Sequence, residues 1–360
     1  MKIKLINFRN YKSVEASFTE PVIIITGRNG SGKTNLLEAV SLLTPGKGLR
    51  GSELSEISHN NTGEWAINAE LNGYNIGTGL EQGSSKRIVK IDGEKQRGAN
   101  ILAEYVSAIW LTPQMDGIFL ESNSERRKFF DRIIYNFDPE HASRVAVYEN
   151  AMRERLRLLK DESSDKIWLK TLEARMAEYG VAIAAARNEV IEYLQQELDK
   201  KVSSFPKPLI EIRGRYEDML KNSSALEVEK SFSSDLLNSR ISDYQSGRTH
   251  AGIHKTDFHV INTLKMVPAN ISSTGEQKAL LLSIILAMAR LLKTRKNKAP
   301  ILLLDEVIAH LDESRRHELY AEIEAIGCQC FMTGTEKNLF SELANNVQFI
   351  EVSDGIISAQ

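Results

Sequence analysis

Gly27-Arg28-Asn29-Gly30-Ser31-Gly32-Lys33-Thr34 decides how the rest of the chain is read. It fits G-x-x-x-x-G-K-[ST], the phosphate-binding loop. Upstream, Val22-Ile23-Ile24-Ile25 is a run of four β-branched residues, suited to a strand covered on both faces. Downstream, Leu36, Leu37, Val40 and Leu43 recur at helical spacing until Pro45-Gly46 ends the helix. Strand, glycine loop, helix is the order a phosphate cradle needs. Glycines let backbone N–H groups turn inward, and the helix N-terminus adds its dipole. Gly27 to Thr34 are therefore expected to wrap the phosphates of a nucleotide. Lys33 reaches the β- and γ-phosphates in this reading, and Thr34 holds Mg2+.

A second motif completes the first. Ile301-Leu302-Leu303-Leu304-Asp305-Glu306 reads as an apolar strand ending in two acids, the Walker B form. Asp305 is expected to bind Mg2+ and Glu306 to polarise an attacking water. Most of the chain separates Lys33 from Asp305, so a large insertion splits the nucleotide core. Gln114, after Thr112-Pro113, is a candidate contact to Mg2+ or to the attacking water. Arg9 and Asn10, in Phe8-Arg9-Asn10-Tyr11, are expected near the base or the α-phosphate, with a solvated turn as the alternative for Arg9.

Ser272-Ser273-Thr274-Gly275-Glu276-Gln277-Lys278 precedes an apolar helix over Ala279 to Leu292. Ser273 and Glu276 have capping-box spacing. The run also resembles the signature loop of ABC-type ATPases. That resemblance implies that Ser273, Gly275 and Gln277 contact ATP bound by the other protomer, and hence an ATP-dependent homodimer. His310-Leu311-Asp312 resembles the D-loop. Thr333 or Thr335 stands where many such ATPases place a switch histidine, which argues against fast turnover.

Composition sets the outer bounds. The chain has 360 residues, 42% hydrophobic and 26% charged, as in ordinary globular proteins. A net charge of −2 argues against coating nucleic acid through bulk charge, while leaving room for a local basic patch. No stretch approaches a membrane span, and Met1-Lys2-Ile3-Lys4 does not begin a signal peptide, so a cytoplasmic location without membrane contact is expected. The two cysteines, Cys328 and Cys330, are two apart, would share one face if on a strand, and make a poor zinc site. His250, His254 and His259 lack the carboxylates or thiols a metal would need.

Lys2 to Asn7 reads as an opening strand. Trp65 to Leu71, Tyr74 to Leu80 and Arg87 to Ile91 alternate like strands around Asn72-Gly73 and Asp92-Gly93 turns, and Ser107 to Leu111 adds another. Asp138-Pro139 opens a helix striped with Val145, Tyr148, Met152, Leu156 and Leu159. A longer helix follows over 166–202, roughly 55 Å long at 1.5 Å per residue. The pair reads as a helical hairpin. Its Arg144, Arg153, Arg155, Arg157 and Lys160 line either a DNA-facing surface or a solvated face. Leu209 to Tyr216 reads as a strand and Leu226 to Tyr244 as one helix.

These motifs together resemble the RecF family of bacterial recombination mediators. The residues carrying the resemblance are Lys4 to Tyr11, the phosphate loop, Arg126-Arg127 with Phe130-Asp131, Ser273 to Lys278, Leu303 to Glu306, and Thr333-Gly334-Thr335. Glu121-Ser122-Asn123 departs from the usual Gly-x-Pro, and His250 to Asp257 matches the usual Gly-Pro-His-Arg run only loosely. The resemblance implies an α/β fold: an ABC-type ATPase head with a nucleotide-binding mixed sheet, a β-rich lobe and an inserted helical lid. The head is predicted over 1–124 and 260–360, and the lid over 125–259. The resemblance also implies binding of single-stranded and gapped duplex DNA, work with RecO and RecR to load recombinase, and slow hydrolysis. Chromosome-organising SMC heads carry a far longer coiled coil than 138–204 can supply. Transporter ATPases have a compact stretch where this chain runs from Gln114 to Ser273.

Overall fold

The computed structural model describes residues 1–161, 165–200, 205–297, 299–335, 337–340, 347–353 and 355–359. The chain forms two compact units, the first holding Met1–Asp116 and Ile285–Gln360, the second Gly117–Val202 and Pro206–Ile284.

The first unit opens with β1 (Lys2–Phe8), β2 (Tyr11–Ser17), β3 (Val22–Thr26) and α1 (Lys33–Ser41). It continues through β4 (Trp65–Leu71), β5 (Tyr74–Leu80), β6 (Ile88–Ile91), β7 (Glu94–Lys95), α2 (Leu102–Tyr105) and β8 (Ala108–Leu111). The second unit holds α3 (Asn123–Tyr135), α4 (His141–Lys160), α5 (Lys166–Asp199), β9 (Pro208–Arg213), α6 (Arg215–Met219), α7 (Ala225–Asn238), α8 (Arg240–Ser246), β10 (Asp257–Asn262) and β11 (Val267–Pro268). The helix α9 (Thr274–Lys296) leads back into the first unit, which closes with β12 (Ile301–Leu304), α10 (Glu313–Ile326), β13 (Cys330–Gly334), β14 (Val347–Ser353) and β15 (Ile356–Ala359).

Two sheets make up the first unit among the described residues. One is antiparallel, in the order β2-β1-β4-β5-β6-β7. Its strands alternate buried and exposed residues, as Trp65–Leu71 does, because one face is covered and the other is open. The other sheet runs β15-β14-β3-β13-β12-β8. It is parallel from β14 to β8, and only β15 is antiparallel. Its strands β3, β13, β12 and β8 are near-continuous buried runs, such as Ile301–Leu304, because both faces are covered. Ligands of such sheets sit outside the carboxyl ends of the strands. At that edge the phosphate loop leaves β3, the acidic pair leaves β12, and β13 lies between them. Cys330 lies on β13, and both cysteines are buried free thiols. Burial pushes the Cys328 thiol up to about 11 and Cys330 well above its usual value.

The second unit is built on the α4–α5 pair. The 34-residue α5 is about 51 Å long. Tyr148, Leu172, Met176, Val181 and Phe232 are central to its apolar core. Two arginines are buried there as well. Arg187 meets Asp131 at 2.8 Å and Glu217 at 3.0 Å. Arg155, expected among the surface arginines, is instead fully buried. It pairs with Glu173 at 3.0 Å and Asp243 at 2.6 Å and donates to the Leu236 carbonyl. A guanidinium survives burial when its donor fork is met in this way. Of the remaining four, Arg144 pairs with Asp138 and Glu140, Arg153 with Glu149, and Arg157 and Lys160 are exposed.

The helix predicted over Leu226 to Tyr244 is two helices, α7 and α8, meeting at Ser239. At this joint Arg155 and the Ser239 hydroxyl both take the Leu236 carbonyl. The unit boundary also differs from the sequence prediction, since residues 117–124 and 260–284 fall in the second unit. For 260–268 the reason is a ladder. All of β10 pairs with β9, and its end pairs with β11, so a cut at 260 would sever the three-stranded sheet.

Candidate nucleotide site

The phosphate loop is held from beneath by the β1–β2 turn. Asn10 donates to the Ser31 carbonyl at 2.8 Å and accepts from the Asn35 amide at 2.7 Å. The Tyr11 hydroxyl donates to the Gly32 carbonyl at 2.9 Å. This contact explains Gly32: its φ is +117°, and a Cβ there would collide with the Asn10 amide. Gly27, at φ +152°, likewise has no room for a Cβ beside the Val352 carbonyl. Arg28, Asn29 and Gly30 form the exposed tip.

Arg9 is engaged by protein partners. Its guanidinium is committed to Glu38 of α1, with bonds of 2.6 and 2.8 Å, and to Ser52 and the Glu56 carbonyl. Arg50 meets the same carboxylate at 2.9 Å and Asn35 at 2.6 Å. Glu38 is fully buried, and two guanidiniums compensate its charge. Arg9 thus braces α1. Glu38, Asn35 and Arg50 were not singled out from sequence. The available signal was a glutamate amid Leu36, Leu37 and Val40, which demands a cation once buried.

The loop's own donors suit a phosphate. Lys33 is buried, and its ammonium donates to the carbonyls of Gly27 at 2.8 Å and Arg28 at 3.1 Å. The Ser31 hydroxyl is buried with no hydrogen-bond partner. No acidic residue occupies the first turn of α1. An ammonium, an unspent hydroxyl and a helix N-terminus with no side-chain cap form an anion-binding donor set.

The acidic pair meets the loop directly. The Thr34 hydroxyl donates to the Asp305 carboxylate, at 2.9 and 3.1 Å from its two oxygens. The Thr333 hydroxyl donates to Asp305 Oδ1 at 2.7 Å, and the Glu306 N–H donates to Thr333 Oγ1 at 2.8 Å. A hydroxyl and a carboxylate side by side are hard oxygen ligands suited to Mg2+. Gln114 is exposed, on a short turn just after β8. Leu111 of β8 lies opposite Leu304 of β12, so Gln114 and the acidic pair leave neighbouring strands at the same end.

The signature-like loop belongs to the second unit. The capping box forms there: the Ser273 N–H and hydroxyl both donate to Glu276, each at 2.9 Å. Lys265 adds an ion pair to Glu276 at 2.7 Å. That ammonium, with the Ser273 donors, holds the Glu276 carboxyl down at about 2. Ser273 and Gly275 are exposed, and nothing lies within 4 Å of where a Gly275 Cβ would be. Gln277 is buried and donates to the Ser272 carbonyl at 2.9 Å, while its amide oxygen has no partner.

Residues 1–358 match the RecF/RecN/SMC N terminal domain family. The DNA replication and repair protein RecF of Mesorhizobium japonicum is 42% identical over 365 residues, covering 99% of this chain and 96% of that protein. The chain belongs to the RecF family. The RecF of Brucella suis is 42% identical over 98% of this chain and 94% of its own length. The solved structure of the recombination mediator protein RecF-ATP in the RecFOR pathway aligns with a TM-score of 0.87 at 26% identity. It covers 100% of this chain and 96% of that one. An Smc head from Pyrococcus furiosus, at a TM-score of 0.53 and 16% identity, shares the fold alone. RecF membership places the chain among DNA replication and repair proteins and bears out the ABC-type head fold. No helix among the described residues is long and apolar enough to cross a membrane.

Proposed function

We propose that this chain is an ATP-gated DNA-binding recombination mediator. It dimerises on ATP, binds single-stranded and gapped duplex DNA, works with RecO and RecR, and resets by slow hydrolysis in the cytoplasm. The first unit acts as the nucleotide head and the helical second unit as its lid. One observation carries the reading. Thr34 of the phosphate loop and Asp305, from opposite ends of the chain, share hydrogen bonds.

Each residue has a task that follows from its chemistry. Gly27 to Ser31 present backbone N–H groups to the phosphates, and Gly32 gives the close turn into α1. Lys33 exchanges its two carbonyl partners for phosphate oxygens. Thr34 and Asp305 hold Mg2+, with Gln114 as a further oxygen donor beside them. Bound Mg2+ would neutralise phosphate charge as the terminal phosphoryl group leaves. Glu306 orients the attacking water. Asn10 holds the loop's shape. Ser273, Gly275 and Gln277 face the nucleotide of the other protomer. The threonine in place of a switch histidine fits slow turnover.

The deciding experiment measures binding to a gapped duplex with and without ATP, alongside particle mass by light scattering. ATP is expected to double the mass and tighten DNA binding together, and Glu306→Gln to trap that state. ATP binding without a change in mass or DNA affinity would remove the clamp reading.

A further inference from the structure

Thr333 lies in β13, between the strand that leads into the phosphate loop and the strand that ends in the acidic pair. Its side chain is fully buried. Its hydroxyl serves two neighbours at once, giving its proton to Asp305 Oδ1 and accepting the Glu306 N–H. Thr335, two residues on, is exposed. The residues that replace the switch histidine are therefore not equivalent. Thr333 has already committed its one proton inside the fold.

Glu306 supplies the second observation. Its φ is +54°, in the left-handed region. A residue with a long side chain avoids that region, because its Cβ crowds the neighbouring carbonyl oxygen. Such a conformation persists only where the surroundings over-determine it, and it concentrates at functional sites. Here the restraints are visible. The Asp305 N–H is bonded to the Leu111 carbonyl at 2.9 Å, the Asp305 carboxylate is held by Thr34 and Thr333, and the next N–H is held by Thr333.

We propose that Thr333 is a positioning residue for hydrolysis. Its hydroxyl locks the backbone of Glu306 in the left-handed conformation and ties the direction of that side chain to Asp305. This rests on the nucleotide-site reading above and goes beyond it by assigning a task to the threonine. Valine at this position keeps the shape and removes both bonds. The Glu306 backbone is then free to relax to negative φ, which swings its carboxylate away, while Thr34, Lys33 and the loop keep their own partners. Serine keeps the hydroxyl.

The test uses the full-length wild-type protein, Thr333→Val and Thr333→Ser. Two quantities are read: ATP affinity with Mg2+ and with EDTA, and the single-turnover hydrolysis rate at saturating ATP. Misplacement of a reacting group by about 1 Å can cost on the order of 100-fold in rate, so Thr333→Val is expected to hydrolyse at least ~10-fold more slowly. Its affinity for ATP with Mg2+ should stay within about threefold, the pattern of an interaction that acts in the transition state alone. Thr333→Ser should stay within about threefold of wild type in both quantities. A Thr333→Val rate equal to wild type overturns the proposal. So does an equal loss of affinity and rate, or a serine variant as slow as the valine one. If neither Thr333→Val nor Thr333→Ala folds, Thr333 is a stability residue and the proposal falls. Wild-type protein that binds ATP and never hydrolyses it also removes the proposal. Wild-type protein that binds no ATP removes instead the site reading beneath it.

Discussion

Two helix N-termini in this molecule offer the same anion-binding device in different states of completion. The first turn of α1 has no acid and no side-chain cap, and Lys33 beside it rests on loop carbonyls. The start of α9 has Glu276 in its first turn, capped by Ser273 and paired with Lys265. Asp305 reaches the first turn of α1 only through the Thr34 hydroxyl, so Lys33 and the free N–H groups still attract an outside anion, whereas the α9 terminus carries a carboxylate of its own. The α1 terminus is thus the place where net negative charge is taken up. The α9 terminus can add hydrogen bonds and an open approach at Gly275, but little net attraction. If both meet one nucleotide across a dimer, the first sets affinity and the second sets assembly.

The sharpest break in that comparison is Lys33→Ala. Loss of an ammonium that meets phosphate charge in a buried loop should weaken ATP binding by about 100-fold or more. ATP-dependent DNA association should vanish with it. DNA binding that survives at full strength and without ATP would show that α1 does not gate the protein. Ser273→Arg probes the other terminus. ATP affinity should stay within about threefold, since every residue of the phosphate loop is unchanged. The ATP-dependent dimer should be lost, as read by light scattering. A normal dimer from this variant would mean that α9 meets no second protomer.

The smallest effect concerns pH. The Glu276 carboxyl sits at about 2 in the folded protein, against an ordinary value of 4.5. A depressed folded value means that its contribution is complete above the unfolded value and is lost as pH falls through the folded one. Lys265→Ala should raise the folded value toward 4.5 and move that loss to milder acid. Carboxyl NMR of Glu276 across this range reads the shift directly. An unchanged titration would show that Ser273 alone holds the charge.

The sequence showed the parts of the site whose meaning is local. The phosphate loop, Asp305-Glu306 and the Ser273–Glu276 box are spacings within a few residues, and each takes the expected local shape: a loop between β3 and α1, two acids after β12, and a capped helix start. Other residues depend on distant partners. Arg155 looks like a surface arginine until Glu173 and Asp243 are brought to it, and nothing local to Arg9 shows that Glu38 will fold beside it. The strand pairing that carries 260–268 into the second unit joins β10 to β9 across more than forty residues. At the split of α7 from α8 the Leu236 carbonyl is taken by an arginine of another helix. The left-handed Glu306 has no sequence signal, since its cause lies on a neighbouring strand.

The brace beneath the phosphate loop also bears on how fast a nucleotide arrives. Asn10, Tyr11 and the Arg9–Glu38–Arg50 cluster fix the loop and the first turns of α1 through protein contacts alone. Little chain has to be ordered when the phosphates arrive, so encounter and seating merge into a single step. Nucleotide association should therefore appear as one exponential phase, with a rate linear in concentration. Cutting the brace at Asn10 would add a slow second phase that no longer depends on how much nucleotide is supplied.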